Sequence, residues 1–126
     1  MEHPNPIDEA RRYLLNARTL LSEKARKEDG LYQDRKYVKL AGHAAYAGIL
    51  LALDAVFGKK TKGRKDVNWY KECLTKSDKR MLDAFLSAYS TLHLEMSYDG
   101  NRSSSLANFG LQSADAVVDW AAERVV

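Results

Sequence analysis

The stretch from Leu40 to Phe57, LAGHAAYAGILLALDAVF, constrains the fold more than any other part of the chain. Only His43 and Asp54 in it can carry a charge. A helix that is apolar around most of its circumference has no face to give to water, so it belongs inside a bundle. Ala44, Gly48 and Ala52 recur at helical spacing as one ridge, and Ala41 and Ala45 begin another. Ridges of small residues let a neighbouring helix approach closer than the usual ~8–10 Å. The sequence therefore predicts a rod wrapped on nearly all sides by other helices.

A membrane span is the competing reading of an 18-residue apolar run. His43 and Asp54 oppose it, because an ionisable group deep in the bilayer costs about 3 kcal/mol. The N-terminal residues MEHPNPIDEARR lack the apolar core of a signal peptide. A lone cysteine, Cys73, excludes an internal disulfide and suits a reducing compartment, so a cytoplasmic protein is expected.

The flanking segments read as helices with clear punctuation. Asn5 and Pro6 open the first, with Asp8 and Glu9 in its first turn. Ile7, Ala10, Tyr13, Leu14, Ala17, Leu20 and Leu21 make one apolar stripe, and Gly30 is the stop signal, so helix 1 is expected over residues 6–28. The second helix is expected from near Tyr32 to Phe57, with Gly58 ending it. Val67, Trp69, Tyr70 and Leu74 predict a short helix of about two turns. Ser77 and Asp78 then start a long helix carrying Met81, Leu82, Phe85, Leu86, Tyr89, Leu92 and Met96, which ends at Gly100. Ser103–Ser105 cap the last helix, whose inner side is expected to hold Leu106, Phe109, Gly110, Ala114, Val117, Ala121 and Val125. The expectation is an all-α, up-down four-helix bundle forming one domain over residues 1–126, with a short extra helix between the second and third long helices.

Charge is unevenly placed. Residues 59–80 carry nine basic and three acidic groups, whereas residues 81–126 carry two and six. The segment KKTKGRK, inside a loop expected over 58–66, concentrates Lys59, Lys60, Lys62, Arg64 and Lys65. Such a loop is a solvated surface feature in the bland reading. In the functional reading it holds phosphates of RNA, DNA or a nucleotide, with Trp69 and Tyr70 near enough to stack on bases.

Catalytic motifs are otherwise missing. No Glu-x-x-His occurs, and His3, His43 and His93 are too few and too scattered for a metal site, so neither metal nor cofactor is expected. His43 reads as a buried or half-buried histidine bonded to a tyrosine hydroxyl of a neighbouring helix. Cys73 reads as a semi-buried small hydrophobe. There is no glycine-rich phosphate loop of either common type.

The segment RKYVKLAGHAAYAGILLALDAVF resembles the second helix of HEPN-like domains, in which a polar opening leads into His/Ala/Tyr-rich turns. The order of elements is also similar, as it is in small uncharacterised bacterial helical proteins of that superfamily. The run NRSSSLANFGLQSADAVVDW is similar in layout to the region where catalytic members carry an arginine, a short gap and a histidine. Here Arg102 is followed by Asn108 instead, which leaves these two as weak candidates for a catalytic pair. The resemblance implies a bundle that dimerises. It also implies one of two roles: RNA cleavage, or partnering a small nucleotidyltransferase. An asparagine neither titrates near neutrality nor gives up a proton, which removes general acid–base work. The expected function is thus a non-catalytic binding or interaction module acting as a homodimer, with an RNase or RNA- or nucleotide-binding protein as the alternative.

Overall fold

The computed structural model describes residues 5–58, 63 and 65–125, and its fold is all-α with one small two-stranded ribbon. Helix α1 spans Pro6–Thr19, capped by the Asn5 side chain accepting from the Ile7 N–H. It continues as a π-helical turn, Leu20–Lys24. Strands β1 (Lys27–Glu28) and β2 (Leu31–Tyr32) follow as an antiparallel hairpin. Helix α2 is Arg35–Phe57, α3 is Val67–Ser77 and α4 is Lys79–Ala88, the last continuing as a π-helical segment over Tyr89–Tyr98. Helix α5 is Ser104–Arg124.

The expected helix to residue 28 stops short because the chain turns into the hairpin. Arg26 and Asp29 adopt positive φ of 55° and 51°, and Gly30 follows at 80°. Those left-handed conformations end any right-handed helix. The hairpin is then anchored from far along the chain: the Tyr32 N–H donates to the Arg102 carbonyl at 2.8 Å, and the Ser104 N–H to the Gly30 carbonyl at 2.9 Å. Tyr32, expected to begin a helix, is instead a buried strand residue. Helix α2 starts three residues later, where the Asp34 carboxylate accepts from the Lys36 N–H. Helix α3 runs 11 residues, about three turns rather than two.

Helix α2 packs against α1, against the π segment after α4 and against α5, and α5 also packs on α4. The close approaches use its glycines. A Cβ on Gly48 would lie 2.9 Å from the Ala10 carbonyl oxygen of α1, and one on Gly42 only 2.5 Å from the Leu92 carbonyl oxygen. Fully buried Phe85, Ile49, Leu53, Leu74, Leu92, Met96, Val117 and Val118 fill the interior.

The rod is not wrapped on nearly all sides. Val38, Ala41, Gly42, Ala45, Tyr46, Gly48, Ile49, Ala52 and Leu53 are buried, and at about 100° per residue they cover an arc of about 160°. The remaining positions form a continuous open flank. Lys36, Lys39, Leu40 and His43 are exposed, while Ala44, Ala47, Leu50, Leu51 and Asp54 are half-buried. Low side-chain volume there mimics a buried face in composition alone. Phe109, expected inside, is likewise 53% exposed. On α5 the covered stripe is carried by Ala107, Leu111, Val118 and Trp120 together with Gly110, Ala114, Val117 and Ala121.

Candidate functional site

Lys65 is the described member of the basic set; Lys59, Lys60, Lys62 and Arg64 lie outside the described residues. Its ammonium is 3.0 Å from Asp54 Oδ1 and 5.2 Å from the centre of the Trp69 ring. The same Oδ1 accepts from the Tyr70 hydroxyl at 2.7 Å. Burial first, then the hydrogen bond to Asp54, pushes the Tyr70 hydroxyl far above its ordinary pKa. Trp69 meets Tyr70 edge-on at 5.0 Å and Phe57 at 6.4 Å. Lys65 and its aromatic neighbours thus tie the end of α2 to α3. Asp54 Oδ2 accepts no hydrogen bond among the described residues.

Arg102 and Asn108 are split between two jobs. Arg102 is half-buried just before α5, where its carbonyl receives the Tyr32 N–H. Asn108 is exposed on α5 and lines a cleft of ≈470 Å³ together with Arg18, Ser22, Lys27, Tyr32 and Gln112 over Leu21 and Leu111. Arg102 is not among the residues lining it. The polar residues of this cleft fall off every apolar stripe, so periodicity alone reads them as a solvated face.

His43 is neither buried nor half-buried: its position in α2 puts it on the open flank, and it makes no hydrogen bond among the described residues. His93 occupies the more enclosed place. Its ring stacks on Tyr46 at 4.5 Å and lies 4.7 Å from Tyr98. Burial, and then the neighbouring His43, lowers its pKa below the ordinary histidine value. Cys73 is half-buried, and its thiol pKa is raised, chiefly by burial. No cluster of three or more metal-ligating side chains occurs among the described residues.

Beside His43 the basic residues Arg35, Lys36 and Lys39 line a shallow groove of ≈550 Å³ with Leu40 and Ser97. None of the three has a carboxylate within 4.0 Å among the described residues. Sequence reading assigned this stretch to the polar opening of a helix. The helical spacing of 35, 36, 39 and 43 is the signal that gathers these groups on one side.

Comparison with known proteins matches the family profile described as a domain of unknown function (DUF5618) over residues 5–123. The solved structure of a protein of unknown function from Dyadobacter fermentans is similar over 94% of this chain and 95% of that one, with 54% sequence identity and a TM-score of 0.92. None of the curated proteins matches this chain.

Proposed function

The chain belongs to the DUF5618 family, and we propose that it is a non-catalytic interaction module of HEPN-like, up-down four-helix architecture that acts as a homodimer. The open flank of α2 carries this reading. Its apolar middle, Leu40, Ala44, Ala47, Leu50 and Leu51, belongs to a helix whose most apolar window is only 39% buried. A contiguous apolar flank on a soluble chain marks a surface that another molecule covers.

The flank complements itself. Antiparallel pairing of two α2 helices about a two-fold axis opposite Ala45 sets Leu40 against Leu50 of the other copy and His43 against Ala47. It also sets Lys36 against Asp54, whose Oδ2 accepts no hydrogen bond among the described residues. A two-fold interface requires that kind of reciprocal match. Ala44 and Ala47 at its centre allow close approach of the two rods.

Light scattering after gel filtration tests the proposal. The wild type is expected at twice the 14.2 kDa chain mass. Leu40→Asp with Leu50→Asp is expected to give a folded monomer, and Leu15→Asp, at a 61% exposed position on α1, to remain dimeric. A wild-type monomer would refute the reading.

RNA binding is the second reading, favoured by Arg35, Lys36 and Lys39 along the groove, none of which is ion-paired among the described residues. It requires labelled RNA to bind at low ionic strength and to dissociate steeply with added salt, because counterion release drives such binding.

A further inference from the structure

A cleft of ≈470 Å³ opens where the π turn after α1, the β-hairpin and the first half of α5 meet. That volume falls within the range of small-molecule sites, about 300–1,000 Å³. Leu21 and Leu111 form its floor, 4% and 3% exposed. Around them stand Arg18, Ser22, Lys27, Tyr32, Asn108 and Gln112. Two of these eight lining residues, Arg18 and Lys27, are basic, and none is a carboxylate.

The cations differ in how they are held. Arg18 is braced by Asp115 through two bonds, at 2.6 Å and 3.3 Å, which fix the guanidinium plane. Three of its five N–H donors are left for a ligand. Lys27 has no carboxylate within 4.0 Å among the described residues. It lies on β1 between Arg26 and Asp29, the non-glycine residues of positive φ among the described residues. Backbone of this kind is found preferentially at ligand clamps. The π turn supplying Leu21 and Ser22 is a second such feature.

The remaining polar groups are donors and acceptors that stay neutral. Burial raises the Tyr32 pKa, so its hydroxyl keeps its proton. The side chains of Tyr32, Asn108 and Gln112 make no hydrogen bond to protein among the described residues, although each lines the cleft. An apolar floor ringed by neutral hydrogen-bonding groups, with two cations at the rim, matches a small polar molecule bearing an anionic end.

We propose that this cleft binds a small metabolite with a terminal oxyanion, a phosphate or a carboxylate. Lys27 and Arg18 hold the oxyanion. Asn108, Gln112 and the Tyr32 hydroxyl bind the polar body, which lies over Leu21 and Leu111. The residues that line the cleft include no histidine, cysteine or carboxylate. The cleft shares no residue with the α2 flank, and dimerisation is not required for it.

Titration of the full, isotope-labelled chain with inorganic phosphate, and separately with acetate, tests this by NMR. Ionic strength is held constant with sodium chloride. Saturable shifts are expected for Ser22, Lys27, Tyr32 and Leu111 and for the side-chain amides of Asn108 and Gln112. The anion that saturates identifies the oxyanion class. Lys27→Glu is expected to weaken binding at least tenfold and Asn108→Ala to weaken it less, while Lys76→Glu, at an exposed position on α3, leaves it unchanged. Three results would each overturn the proposal: no saturable shift at the cleft with either anion, shifts spread over all surface lysines and arginines, or unaltered binding by the Lys27→Glu chain.

Discussion

Replacing Gly42 by alanine tests the shortest distance from a glycine position to a neighbouring backbone atom among the described residues. The new methyl would sit 2.5 Å from the Leu92 carbonyl oxygen, 2.7 Å from Met96 Cβ and 2.8 Å from the Ser97 N–H nitrogen. Two of these are backbone atoms and the third is the first atom of a side chain, so none can swing away. Against this, alanine gains about 1 kcal/mol over glycine inside a helix. Inserting a methyl into a packed core costs about 1–3 kcal/mol when neighbours can adjust. Here the π segment must move as a unit, which takes the cost to the upper end or beyond it. The net loss is about 2 kcal/mol. At about 4 °C per kcal/mol for a domain of this size, the melting temperature falls by about 8 °C. Urea unfolding followed by circular dichroism measures the loss directly. Gly110→Ala is the matched comparison. Its methyl meets Thr91 Oγ1 at 2.5 Å, Leu92 Cδ2 at 2.9 Å and Thr91 Cβ at 3.1 Å, side-chain atoms rather than backbone, although turning the Thr91 hydroxyl away gives up its bond to the Ser87 carbonyl. Its loss should be clearly smaller. A Gly42→Ala protein as stable as wild type, or more stable, would show that α2 and the π segment are not in the contact described.

Asp78 links two helices: its Oδ1 accepts from the Arg80 and Met81 N–H groups at the start of α4, and its Oδ2 from the Trp120 indole N–H at 3.2 Å. Asp78→Ala removes a cap worth about 1 kcal/mol and strands a buried indole N–H at a further cost of about 1–3 kcal/mol; Asp78→Asn should lose mainly the second part, as read by chemical denaturation. Tyr46 and Tyr70 have hydroxyls whose pKa is raised above the ordinary 10.0, in both cases first by burial. The unfolded chain ionises them near 10 and the folded chain does not, so their contribution is intact below about pH 10 and is lost as pH rises further. Denaturation at stepped alkaline pH should show declining stability, and tyrosinate absorbance should appear in full only on unfolding. Phe substituted at both positions should flatten that decline.

Helix starts were legible in the sequence because capping is local. Asn5, Asp78 and Ser103 each accept from an N–H two or three residues on, and nothing distant is needed; the start of α2, capped by Asp34, was instead expected too early, near Tyr32. The end of the first helix was not legible. It depends on Tyr32 and Gly30 meeting Arg102 and Ser104, a pairing that spans some seventy residues of chain. The open flank of α2 was hidden for another reason: alanine and leucine in a helix state a preference for burial but not which molecule supplies the cover. Asn108 was reached through a family resemblance, whereas Arg18, Lys27 and Gln112 gave no signal. Charged and amide side chains between apolar stripes look the same whether they face bulk water or a shared cleft.

The two π segments, Leu20–Lys24 and Tyr89–Tyr98, both run toward the hairpin, where Leu31 bridges Ser103. Wider winding stores an extra residue per turn relative to the α form. Relatives that have gained or lost a single amino acid in either stretch can rewind locally and leave the far pole, with Asp78 and Trp120, undisturbed. Length variation in this lineage should therefore accumulate at the hairpin pole, where it would reshape the mouth of the cleft between one species and the next.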